Sequence, residues 1–169
     1  MTLTSEIDNS KPIASIRLAK KKDVKTIMGF IKSLAEYEKL SDEVVANEQS
    51  LGEYLFGDRP YAEVLIAEYD MKAVGFALFF HTFSTFLGMP GLYLEDLYVK
   101  PEMRGKGFGK ALFLKVAQIA QNRNCGRLEW SVLNWNESAI GFYKKLGAQA
   151  MDEWTVYRLS RESLAKLND

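Results

Sequence analysis

Apolar residues recur along this chain in two rhythms. A period of about two predicts strands, and a period near 3.6 predicts helices. Ile13 to Leu18 alternates and reads as a first strand. Val24, Ile27, Met28, Ile31, Leu34 and Ala35 then share one helical face, with Asp23 as the expected N-cap. A second helix is expected from Asn47 to Phe56. Two β-rich runs follow, Val64 to Tyr69 and Ala73 to Thr82, separated by Asp70-Met71-Lys72, a hairpin-length gap. Phe83 to Gly91 reads as a loop, Leu92 to Val99 as a strand ended by Pro101, and Lys110 to about Arg123 as a long helix. Arg127 to Leu133 reads as a strand, Glu137 to Leu146 as a helix stopped by Gly147, Trp154 to Leu159 as a last strand, and Arg161 to Leu167 as a short helix. The order β-α-α-β-β-β-α-β-α-β contains one strand–helix–strand crossover after an antiparallel meander. It predicts an α/β (α+β type) mixed sheet with helices on both faces.

Composition narrows the function classes. The chain has 169 residues, enough for one domain with a real core. The polar residues 1–12 read as a flexible leader and 13–169 as a single domain. Lys plus Arg and Asp plus Glu are both 22, so the formal charge is zero. That argues against nucleic acid as the main partner, which needs a positive surface. A single cysteine, Cys125, and a single histidine, His81, leave no Cys/His metal cluster, and no metal is expected. With no apolar signal-peptide core and no run of membrane-spanning length, a cytoplasmic protein with no membrane partner is expected.

Three segments carry candidate chemistry. Arg104-Gly105-Lys106-Gly107-Phe108-Gly109 joins a strand to a helix. Its glycines permit a tight turn that exposes N–H groups, and a helix N-terminus follows, an arrangement suited to phosphate. The spacing fits neither G-x-G-x-x-G nor G-x-x-x-x-G-K-[ST], so a dinucleotide fold and a P-loop are set aside; a purely structural turn stays open. Glu95 and Asp96 are adjacent carboxylates in an apolar strand. Neighbouring strand residues face opposite sides, so at least one is expected in a cleft or buried network, the alternative being an edge-strand charge pair. In the third segment Asn136 is a good N-cap, and Tyr143 lies three residues after Ile140 on the helix that follows; a core aromatic is the plainer reading of Tyr143.

Arg104-x-x-Gly107-x-Gly109 resembles the R/Q-x-x-G-x-G/A signature of the GNAT acetyltransferase superfamily. Asn136-x-x-Ala139-x-x-Phe142-Tyr143, with Gly147 four residues on, resembles its second half. Within the superfamily the chain is most similar to the diamine (spermidine/spermine) and thialysine N-acetyltransferases. Tyr93 to Val99, Trp135-Asn136-Glu137, Phe142 to Ala148 and Leu34 to Glu38 carry that likeness, which spans Ile16 to Leu159.

The resemblance implies a mostly antiparallel sheet splayed at an acetyl-CoA site. It implies that Arg104, Gly105, Lys106, Gly107, Phe108, Gly109 and Lys110 hold the pyrophosphate. Backbone N–H groups at Leu97 and Val99, flanking Tyr98, would polarise the thioester carbonyl. Asn136, Glu137, Ser138 and Ala139 would meet the pantetheine arm, and Tyr143 would protonate the departing thiolate. A lysine-type amine with a pKa of about 10.4 is neutral in only about one molecule in ~2,500 at pH 7. A base is therefore required, and Glu95, acting through water, is the candidate. A carboxylate also stabilises the ammonium, which desolvation must offset. Tyr37, Glu38, Glu95, Glu129, Trp130 and Ser131 match amine-side positions. The polyamine enzymes carry a further acid where this chain has Thr155, with Glu153 nearby; that leaves room for a shorter amine such as thialysine or a lysine-like amino acid. The expectation is an acetyl-CoA-dependent N-acetyltransferase of a small cationic amine, working as a homodimer. Alternatives are a protein lysine or N-terminal acetyltransferase, and a non-catalytic acyl-CoA-binding domain.

Overall fold

The structure, a computed structural model, describes residues 14–168. The expected leader and Ile13 lie outside the described residues. The chain divides into two compact units, one ending at Ser131 and one running from Val132.

The first unit is built on a five-stranded sheet in the order β1 to β5. Its strands are β1 (Ala14–Leu18), β2 (Glu63–Tyr69), β3 (Lys72–Ser84), β4 (Met89–Val99) and β5 (Leu128–Trp130). The first four pair antiparallel, and β5 joins β4 in parallel after the crossover. Helices α1 (Val24–Glu38) and α2 (Glu48–Phe56) supply Ile27, Phe30 and Leu55 to one face. There they meet Val64 and Ile66 of β2, Phe76 and Leu78 of β3, and Tyr98 of β4. Phe30 stacks on Phe76 with ring centroids 5.4 Å apart. Helix α3 (Phe108–Asn122) packs against the sheet with Leu112, Phe113, Val116 and Ala120 buried. Leu65, Ala77, Phe79 and Leu94 alternate with the α1-side residues and are buried too. The arrangement is the expected mixed, mostly antiparallel sheet with helices on both faces.

Several local expectations change. Asp23 stands at the N-cap position of α1, as expected, but its side chain does not bond the first turn of that helix. Its carboxylate accepts the Lys20 N–H at 2.8 Å and both Nη groups of Arg17, at 2.8 and 3.0 Å. The capping residue thus closes the single 3-10 turn before α1 and ties it to β1. The expected loop from Phe83 to Gly91 shrinks to 85–88, because β3 and β4 continue their pairing to Ser84↔Met89. Turn residues Pro90 and Gly91 sit inside that ladder. Asn47 caps α2 as expected, accepting the Ser50 N–H at 2.9 Å.

The second unit contains α4 (Glu137–Lys145) and α5 (Arg161–Ala165). Trp154 to Leu159 is not a strand. Alternation alone cannot make one: a strand needs a ladder partner, and among the described residues this unit holds no other strand. Trp154, Val156 and Tyr157 are exposed. Among the described residues, no helix is long and apolar enough to cross a membrane.

Candidate active site

The glycine loop opens directly into α3. Gly105 and Gly107 have φ of 74° and 87°, the left-handed region that glycine enters without strain. Gly107 is the N-cap residue and offers no side-chain cap. The first bond of the helical ladder runs from the Ala111 N–H to the Gly107 carbonyl at 2.9 Å. The N–H groups of Phe108, Gly109 and Lys110 precede that ladder and carry the positive end of the helix dipole. Phe108 is buried and meets the Tyr69 ring edge-on at 5.8 Å, which anchors the start of the helix. An uncapped helix end behind two left-handed glycines fits a pyrophosphate. Lys110 is exposed beside it.

Arg104 is held away from open solvent on one side. Its Nε donates to the Val99 carbonyl at 3.0 Å. Its guanidinium lies 4.6 Å from the Tyr37 ring centroid and 5.7 Å from that of Tyr98. The Lys106 ammonium lies 3.6 Å from Met103 Sδ. Tyr98 itself is a core residue, buried against Phe30.

The ladder between β4 and β5 stops at Leu94↔Trp130. Beyond it, β4 continues through Leu97 to Val99 with β3 as its neighbour in the sheet. Among the described residues, no strand pairs with β4 on that side at the residues expected to polarise a carbonyl.

The register between β3 and β4 also breaks here. Leu78 pairs with Asp96 and Phe79 with Leu94, which skips Glu95. Glu95 is the extra residue of a β-bulge. Asp96, opposite Leu78, shares the face covered by α1. Glu95 is exposed and Asp96 is half-buried. Burial, then the charges of Glu95 and Glu38, push the Asp96 carboxyl up to about 7. Burial also raises Glu38, the last residue of α1. The charges of Glu95 and Glu38 thus both act on Asp96. The sequence places at least one of Glu95 and Asp96 in a cleft or buried network and gives the base's role to Glu95; the buried one is Asp96.

The remaining amine-side candidates divide by face. Glu129 pairs in register with Tyr93, and Tyr93 Oη lies 2.6 Å from Ser131 Oγ. Glu129 also bonds Arg127 at 2.8 Å. By alternation these side chains share the Asp96 face. Trp130 does not join them: it packs edge-on against Phe113 of α3, at 5.0 Å.

In the second unit, Asn136 caps α4 by accepting the Ala139 N–H at 3.2 Å. Glu137 and Ser138 are exposed in the first turn. Tyr143 lies further along α4 with its ring 5.1 Å from that of Phe142. Burial pushes its phenol up to about 12, so its proton is retained throughout the neutral range. Gly147, with φ of 85°, ends the helix. No cluster of three or more His, Cys, Asp or Glu able to hold a metal occurs among the described residues.

The Acetyltransferase (GNAT) family profile matches residues 31–148. Thialysine N-epsilon-acetyltransferase of Bos taurus is 40% identical over 163 residues, covering 90% of this chain and 95% of that protein. L-ornithine N5-acetyltransferase of Arabidopsis thaliana is 31% identical, covering 90% and 87%. Among solved structures, an integron cassette protein from the mobile metagenome of V. cholerae superposes with a TM-score of 0.76 at 31% identity, covering 92% of this chain and 97% of that one. A GNAT sheet, a GNAT family match and close relatives that are acetyltransferases agree: this chain belongs to the GNAT family of acetyltransferases.

Proposed function

We propose that this acetyltransferase moves an acetyl group from acetyl-CoA to a small cationic amine, of the polyamine, thialysine or lysine-like kind. The convergence of Glu38 and Glu95 on Asp96 beside the open β4 edge carries this reading. Negative charge there suits a compact cation, and relatives named for thialysine and ornithine support an amino acid with a side-chain amine.

Acetyl-CoA supplies an activated thioester. The loop N–H groups from Gly105 to Lys110 hold its pyrophosphate, and the N–H groups of Leu97 and Val99 face the carbonyl oxygen as charge develops on it. Asn136 and Ser138 bond the pantetheine arm. Tyr37, Glu38, Glu129 and Ser131 receive the amine. Glu95 and Asp96 act together as proton acceptor, because a carboxyl near 7 can both release and take a proton at neutral pH. The amine then attacks the thioester carbon directly, the C–S bond breaks, and Tyr143 donates to the sulfur. The homodimer expected from the resemblance belongs to the same proposal; exposed Phe83, Phe86 and Leu87 at the β3–β4 tip supply an apolar surface for it.

Coenzyme A release, followed with a panel of thialysine, lysine, ornithine, spermidine and an alanine-terminated peptide, tests the reading. Turnover is expected with one or more of the amines. Turnover with the peptide alone would place the protein among the protein acetyltransferases, and coenzyme A binding without turnover would make it a binding domain.

A further inference from the structure

The last turn of α1 reaches two parts of the first unit's site. Glu38 acts on Asp96 through its charge. Tyr37, one residue earlier, carries the Arg104 guanidinium on its ring at 4.6 Å. The Tyr98 ring lies 5.7 Å from the same guanidinium, and the Val99 carbonyl accepts its Nε–H at 3.0 Å. Arg104 is otherwise exposed. An exposed arginine samples many rotamers and loses that freedom when it grips an anion. Two rings and a carbonyl remove much of that loss in advance, because a planar guanidinium stacks where an ammonium cannot. From sequence, Tyr37 belongs with the amine and Arg104 with the acyl donor. The stack joins them.

We infer that Tyr37 is a positioning residue for the acyl donor: its ring fixes the Arg104 guanidinium beside the glycine loop, so that the last turn of α1 sets the affinity for coenzyme A. This rests on the acetyl-CoA reading above. The ring face does the positioning and the phenol hydroxyl does not.

Calorimetric titration of coenzyme A into the full chain tests the inference, using wild type, Tyr37→Phe, Tyr37→Leu, Arg104→Lys, Arg104→Ala and the Tyr37→Leu/Arg104→Ala double variant. Tyr37→Leu is expected to weaken binding about two- to five-fold, the range of an exposed cation–π contact. Tyr37→Phe should keep the wild-type affinity. Arg104→Lys should weaken binding despite its retained charge, and Tyr37→Leu should add nothing to Arg104→Ala. The amine KM, measured in parallel, reports any direct contact of Tyr37 with the amine. Wild-type affinity in Tyr37→Leu or Arg104→Lys, or an undiminished effect of Tyr37→Leu on Arg104→Ala, overturns the inference and leaves the acetyl-CoA reading standing. Failure of the wild type to bind coenzyme A overturns both.

Discussion

The charge of Glu38, at the end of α1, raises the proton affinity of Asp96 in β4. Burial is the larger cause and the adjacent Glu95 the second, but Glu38 is the contribution that comes from another element. A helix terminus therefore tunes a carboxyl on a strand. The effect can be measured on the folded protein.

Asp96→Asn should make the protein more stable at pH 8 and leave it no more stable at pH 4. The folded-state value, about 7, lies above the ordinary aspartate value of 3.8. Below 3.8 both states are protonated and folding carries no penalty. As pH rises from 3.8 to about 7, the unfolded chain ionises first, and the penalty grows until it is complete above 7. Asparagine cannot ionise and escapes it. Thermal unfolding of both proteins across pH 4–8 checks the sign.

Glu38→Gln should shift the acid limb of the kcat/KM profile to lower pH. Removing a neighbouring negative charge makes Asp96 easier to ionise. Asp96→Asn should alter that limb as well, as should Glu95→Gln. A profile indifferent to all three substitutions would remove the carboxyl group from the proton-transfer role.

Tyr143→Phe should lower turnover by about 10²- to 10⁴-fold, the usual range for loss of a general acid. Coenzyme A affinity should change far less. Calorimetry and single-turnover kinetics separate the two. Unchanged turnover would leave Tyr143 as a packing residue beside Phe142.

Asp23→Ala should destabilise the protein by about 2–3 kcal/mol, the scale of charge-assisted hydrogen bonds lost at a buried site. The bonds to Arg17, burial and the Lys20 N–H compete at Asp23, and the balance lowers its carboxyl below the ordinary value. Its contribution is thus present above pH 3.8 and lost as pH falls through the lowered value. Denaturant melts at pH 7 and pH 2.5 should show a larger difference between variant and wild type at the first than at the second.

Helices were the most legible part of the chain. Local periodicity and caps such as Asn47 and Asn136 lie within a few residues of what they determine. Asp23 is legible as the N-cap residue of α1, but its side-chain bonds are not, because its partner Arg17 comes from β1, before the turn. The start of β4 was obscured by Pro90 and Gly91, which signal a turn unless a long hairpin ladder spans them. Trp154 to Leu159 has strand alternation without a ladder in its own unit. In the site, the glycine loop and Tyr143 were visible as motifs. Which of Glu95 and Asp96 is buried was not, because the face depends on which β3 residue lies opposite, and nothing within Leu92 to Val99 encodes the skipped pairing at Glu95.

That skipped pairing makes the acidic site a matter of spacing as much as of residue type. In an unbroken register Glu95 would stand opposite Leu78 and Asp96 opposite Ala77, on the α3 side of the sheet. One residue inserted into β3 between Leu78 and Phe79 would instead give Glu95 a partner of its own and close the bulge, restoring strict alternation. The carboxylates would then part without either being mutated. A relative could retain every acidic residue named here and still lose their shared chemistry through a single insertion in the neighbouring strand.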